Sequence, residues 1–136
     1  MRKAGSSARL LGTELWNTEP TLAQAKPMSG AWFAAVSDGL YGQFAAKYRS
    51  RFGKGPFRLA SLGYDSVLLA VRISADWRPG APFPEGRLVD KGGFSGVDGA
   101  FRFDRDGIAE RMIEVKQIGA GGVTVVSPAA QGFGDQ

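Results

Sequence analysis

The sequence contains no cysteine and no histidine. The first absence excludes disulfides, thiolate nucleophiles and thiolate metal sites. The second removes the commonest general base and metal ligand, along with every Ser-His-Asp or Cys-His arrangement. A metal centre would have to be built from carboxylates alone, a donor set that suits Mg or Ca better than Zn. No metal site, no cofactor and no catalytic residue is expected, and the composition points away from an enzyme. Apolar runs are too short to span a bilayer, so no membrane span is expected either. Neither sign of charge dominates: 17 basic residues against 13 acidic ones give a net charge of +4, which favours solubility without demanding an anionic partner.

What is present suits one domain. The 136 residues are 43% apolar and 22% charged, enough to bury roughly two-thirds of the unfolded surface. Basic residues gather at Arg2, Lys3 and Arg9, and again in the run Lys47, Arg49, Arg51, Lys54, Arg58. Tyr48, Phe52 and Phe57 interleave the second group as in a single-strand nucleic-acid binder. Tyr48 and Phe52 belong to a helical apolar stripe, however, so the charges read as a solvated face and no nucleic-acid partner is expected.

Along the chain, Ala8–Trp16 reads as a buried strand that ends at Asn17. Thr18 is placed to cap a short helix with Pro20 in its first turn. Gly30–Val36 is almost continuously apolar, as in a strand covered on both faces of a parallel sheet. Ser37 or Asp38 then caps a helix in which Leu40, Phe44, Tyr48 and Phe52 recur every four residues and Gly53 is the stop. A second helix, about Gly63 to Trp77, carries Tyr64, Val67, Leu68, Val71 and Ala75 as its expected buried stripe. Pro79–Pro84 is a loop, and Glu85–Lys91 a brief helix. Beyond Phe94 the period changes to two. Phe101 and Phe103 alternate up to a turn at Asp104–Gly107, Ile108–Ile118 follows as one alternating segment, and Val123–Val126 closes a β-meander. Asp104, Asp106 and Glu110 begin like a calcium loop but lack its closing Glu, so a hairpin turn is the better account. Alternating strands and helices in the first half imply α/β layers, yet two parallel strands are too few for a stable doubly wound sheet.

Three strings carry a resemblance: Gly30-Ala31-Trp32-Phe33-Ala34-Ala35, the helix end Phe44-Ala45-Ala46-Lys47-Tyr48-Arg49-Ser50-Arg51-Phe52-Gly53, and Leu62-Gly63-Tyr64-Asp65-Ser66-Val67-Leu68-Leu69-Ala70. With the later Gly96–Gly107 segment, they resemble the closing third of type 1 periplasmic binding proteins, the leucine/isoleucine/valine-binding family. The wording Gly63-Tyr64-Asp65 and Phe94–Gly99 is most similar to members that act as penicillin-binding protein activators. The resemblance implies a partial, Rossmann-like α/β layered fold with a C-terminal antiparallel β-meander. Residues 1–127 would be the C-terminal portion of a binding-protein domain, and 128–136 a flexible tail. It also implies a non-catalytic periplasmic protein that binds a small polar ligand such as an amino acid, or a regulator contacting a cell-wall synthase. A missing N-terminal lobe or a second copy of the chain would complete it. Met1-Arg2-Lys3 imitates the start of a signal peptide, but too few apolar residues follow. A truncated piece, or a start placed too late in a longer frame, would account for that.

Six residues are candidate ligand contacts. Trp16 and Asn17 follow the first strand, where ligands of open α/β sheets sit; the alternative for Trp16 is an aromatic filling the surface of a lobe. Ser37 and Asp38 stand in the same relation to the second strand, although a helix cap is the better account of Asp38. Tyr64 and Asp65 fall where the family's chain returns towards its cleft, although Tyr64 also fits packing and Asp65 a favourable place in a first turn. A second class of function is a protein-interaction module without a small-molecule ligand, anchored by Trp16, Trp32 and Trp77.

Overall fold

The structure is a computed structural model that describes residue 5 and residues 7–134. Arg2 and Lys3 of the first basic group, and the last two residues of the 128–136 tail, lie outside the described residues. The chain divides into two compact units, one from Met1–Val36 with Ile113–Ala129, the other from Ser37–Met112 with Ala130–Gln136.

In the first unit, β1 (Leu11–Gly12) and β2 (Trp32–Ala35) pair in parallel, with Leu11 opposite Trp32. Antiparallel β6 (Glu114–Gly119) and β7 (Gly122–Ser127) complete a four-stranded sheet in the order β1-β2-β6-β7. Phe33 stands opposite Lys116, and β6 carries an irregularity at Val115/Lys116. Ala31, Phe33, Ala35 and Ile118 form the buried core, with Leu10, Trp16, Leu22 and Met28 packed against it.

The expected strand over Ala8–Trp16 shrinks to two residues. At Thr13 the chain turns into a 3-10 segment, Glu14–Thr18, opened by the Trp16 N–H donating to Thr13 O at 3.1 Å. Gly12 permits this, because a side chain there would collide with the Trp16 indole folded back over it. Thr18 does not cap the next short helix, Pro20–Gln24. Glu19 does, accepting from the Thr21 N–H and hydroxyl at 3.2 and 2.6 Å. In β6, Glu114, Lys116 and Ile118 face inward and are buried, while Val115 and Gln117 are half-buried.

In the second unit, α1 (Gly39–Phe52) and α2 (Ala60–Ser74) accompany a separate antiparallel sheet of β3 (Phe94–Gly96), β4 (Gly99–Phe103) and β5 (Ala109–Arg111). Gly53, at φ 73°, ends α1 with its N–H on Arg49 O at 2.8 Å, a left-handed cap that a side chain would strain. The segment Ile108–Ile118 is not one strand. It breaks at Met112 and Ile113 because β5 pairs with β4 while β6 pairs with β2 and β7. The Asp104–Gly107 turn forms as expected, its Asp104 Oδ1 accepting from the N–H groups of Asp106 and Ile108. α2 starts at Ala60, so Asp65 stands in its second turn rather than its first, and it ends at Ser74, short of Trp77. Its expected buried stripe is reversed: Tyr64, Val67, Leu68, Val71 and Ala75 are exposed, whereas Ser61, Asp65 and Ile73 are buried. The small β3–β4 hairpin lies against the polar side of α2, while on the apolar side Tyr64 meets the Phe44 ring of α1 at 5.1 Å and Val67 and Val71 stay exposed. Leu40 and Phe52 of the α1 stripe are also exposed. In the tail, Phe133 lies under the Arg102 guanidinium at 4.4 Å.

Candidate functional site

Trp16 and Asn17 lie in the 3-10 segment that leaves β1. Trp16 is half-buried, its ring 6.1 Å from that of Phe33 at a tilt of 52°. One face of the indole therefore belongs to the core. Asn17 Oδ1 accepts from Lys116 Nζ at 2.8 Å, and Lys116 also stands 3.3 Å from Glu114 Oε1. Lys116 and Glu114 are both buried, so the ammonium is held by an amide oxygen and a carboxylate and fixes the Asn17 side chain in turn. Sequence patterning gave no sign of this group, because alternating charged residues in a strand ordinarily face water.

Ser37 and Asp38 follow β2 and precede α1. Asp38 occupies the cap position without a side-chain hydrogen bond to the helix, whereas Ser37 Oγ lies 3.5 Å from the Gly39 N–H. The Asp38 side chain is 48% exposed, and its Oδ1 stands 3.8 Å from Arg58 Nη2. The Arg58 guanidinium lies 4.0 Å over the Tyr41 ring, and its Nη1 donates to Asp98 Oδ1 at 2.6 Å and to Ser61 Oγ at 2.9 Å. In the second unit, Asp38 is thus gathered with Arg58, Tyr41, Ser61 and Asp98. In the sequence Arg58 was marked only by its place in a basic run. It differs from that run in being half-buried and paired, while Lys47, Arg49, Arg51 and Lys54 are exposed.

Tyr64 and Asp65 point to opposite sides of α2. Tyr64 is 46% exposed, its ring 5.1 Å from Phe44, and it lines an open apolar groove of about 590 Å³. Asp65 is buried, and its carboxylate accepts from the Val97 N–H at 2.7 Å and the Asp98 N–H at 3.4 Å. Those bonds hold the β3–β4 turn. Of the other expected aromatic anchors, Trp32 is half-buried with Nε1 on Gln117 Oε1, and Trp77 donates to Ala81 O.

No protein-family model matches the sequence. No curated protein matches it. Solved structures do. A protein of Rhodospirillum rubrum described as a branched-chain amino acid ABC transporter superimposes with a TM-score of 0.75 at 21% identity, covering 92% of this chain and 39% of its own. The leucine-binding protein LivK of Thermotoga maritima gives 0.54 at 22% identity, covering 93% and 38%. The substrate-binding protein LivJ of Streptococcus pneumoniae, solved with isoleucine, gives 0.52 at 25% identity, covering 93% and 39%. These neighbours are type 1 periplasmic binding proteins, and the chain has the partial α/β fold that the sequence resemblance implied. It spans about two-fifths of their length. Among the described residues no helix is long and apolar enough to cross a membrane.

Proposed function

We propose that the chain is part of a non-catalytic, periplasmic solute-binding protein of type 1 fold that captures a small polar ligand such as an amino acid. Residues 1–127 are the binding-protein portion, and 128–136 the tail. The observation that carries this reading is the match to the Rhodospirillum rubrum protein over 92% of the chain. The Streptococcus pneumoniae neighbour, solved with isoleucine, supports the ligand class.

The candidate ligand contacts are assigned within each unit by itself: Trp16 and Asn17, which leave β1, in the first, and Ser37 and Asp38, at the start of the second. Trp16 offers the outer face of its indole to an aliphatic side chain. Asn17, whose carbonyl oxygen accepts from Lys116, places its side chain beside Trp16. Ser37 supplies a hydroxyl, and Asp38 a half-exposed carboxylate suited to an ammonium group. Tyr64 and Asp65 are assigned to packing. Capture would follow from closure of the whole protein, driven by tighter binding to the closed state. The finer reading as an activator of a cell-wall synthase rests on the wording at Gly63–Asp65 and Phe94–Gly99. The contact between Gly96 and the Asp65 carboxylate already accounts for part of that wording.

A thermal-shift panel of amino acids tests the proposal. An aliphatic amino acid should raise the unfolding midpoint in a concentration-dependent way, and Trp16→Ala and Asp38→Asn should each abolish the rise. No shift with any member of the panel at millimolar concentration would overturn it.

A further inference from the structure

The sheet of the first unit ends on β7, which has β6 on one side and, among the described residues, no strand on the other. The opposite end is β1, only two residues long. β7 lacks the charges that ordinarily keep an open edge from pairing: no charged residue occurs between Lys116 and Asp135. The irregularity opposite Val115/Lys116 falls at Val126, which leaves Gly122–Val125 in regular register. Val123 is nevertheless 45% and Val125 50% exposed.

The register shows what this edge presents. Val123 stands opposite Ile118 and Val125 opposite Lys116, and both partners are buried, so the two valines lie on the core face of the sheet. Thr124 stands opposite Gln117 on the other face. Gly119 and Gly122 flank a two-residue turn, the pairing in which both residues exchange main-chain bonds. By alternation Thr124 also bonds towards β6, and the N–H and C=O groups of Val123 and Val125 point to the open edge.

We infer that β7 is an interface between two copies of this chain, paired antiparallel about a two-fold axis at Thr124. The segment Val123-Thr124-Val125 reads the same in both directions. Such an axis therefore sets Val123 of each copy opposite Val125 of the other and brings the two Thr124 residues together. The outward main-chain groups then bond across the axis, and the valines continue the core face from one copy into the next. A second copy is the occupant because the strand is its own complement. Self-pairing brings no like charges together, and threonine opposite threonine is a favourable cross-strand pair. The inference is independent of solute capture, since none of the candidate contacts lies on β7.

The full chain tests it. Sedimentation velocity at about 100 µM should show a dimer. Thr124→Lys and Thr124→Glu each set like charges against each other at the axis and should raise the dimer dissociation constant about tenfold or more. An equimolar mixture of the two should dimerise again, because opposite charges then meet. Thr124→Cys gives a second readout without a change of charge. The chain has no cysteine of its own, and the axis brings the two Cα atoms to about 4.5 Å, within reach of a disulfide. Under oxidation this variant should form a covalent dimer about tenfold faster than Ala120→Cys, a thiol in the exposed turn. A monomer at that concentration would overturn the inference. So would a dimer unaffected by Thr124→Lys, a mixture that stays monomeric, or equal rates for the two disulfides.

Discussion

Arg58 and Asp98 form an ion pair 2.6 Å long, 40 residues apart in sequence, with their side chains 19% and 5% exposed. Ser61 Oγ donates to the second oxygen of Asp98 at 2.7 Å, so the start of α2 and the β3–β4 turn are tied through one carboxylate. Removing one partner of a buried pair leaves the other charge uncompensated. Asp98→Asn should lower the unfolding free energy by about 3 kcal/mol. Urea denaturation followed by circular dichroism measures it, and a loss below about 1 kcal/mol would show the pair to be energetically idle.

Asp65 and Gly96 are fitted to each other. A methyl group at Gly96 would run into the Asp65 carboxylate, and the N–H groups of Val97 and Asp98 in the turn beyond it donate to the same carboxylate. Gly96→Ala should cost about 1–3 kcal/mol through overpacking, and Asp65→Ala about 2 kcal/mol through unpaired amides. The double variant should lose less than the sum, because removing the carboxylate removes the clash. Strict additivity in the same denaturation assay would contradict the contact.

Glu114→Gln removes the buried carboxylate that faces the Lys116 ammonium. It should destabilise the first unit by about 2–3 kcal/mol, whereas Glu114→Gln combined with Lys116→Met should recover most of the loss. Thermal unfolding of the three chains distinguishes these outcomes. If the double variant were no better than the single one, the pair would not be the source of the cost.

Glu19 titrates below the usual glutamate range, chiefly because the Thr21 hydroxyl donates to it and secondarily because the Thr21 N–H does. A depressed folded-state value means that its contribution is present at neutral pH and disappears as pH falls through the folded-state titration. Thr21→Ala should raise the Glu19 midpoint towards the ordinary value in an NMR pH titration. An unchanged midpoint would show that the hydroxyl is not the cause.

Much of the fold is legible in the residues. The four-residue recurrence from Leu40 to Phe52 and the glycine at 53 mark α1 nearly to its ends, and Asp104 with Gly107 marks a turn whose hydrogen bonds are local. Local chemistry of that kind needs no partner. Burial is different, because periodicity shows which side of a helix is apolar and not whether anything covers it. Val67 and Val71 are therefore exposed, although the α2 pattern reads as core. Lys116 is the converse case. Its charge argues for solvent, whereas its burial is compensated by Asn17, 99 residues away, and by Glu114. The break at Met112 was hidden for a related reason: strand alternation continues unchanged while the pairing partner switches from β4 to β2. Among the candidate contacts, position after β1 and β2 could be read from chain order. The pairing of Asp38 with Arg58 depends on a contact 20 residues away.

The most direct test of solute capture is an isoleucine titration of the uniformly 15N-labelled chain, followed by amide chemical shifts. The account predicts saturable shifts, largest at Trp16, Asn17, Ser37 and Asp38, with little change along α2. Saturable shifts centred on the groove between Leu40 and Leu68, or none at millimolar isoleucine, would contradict it.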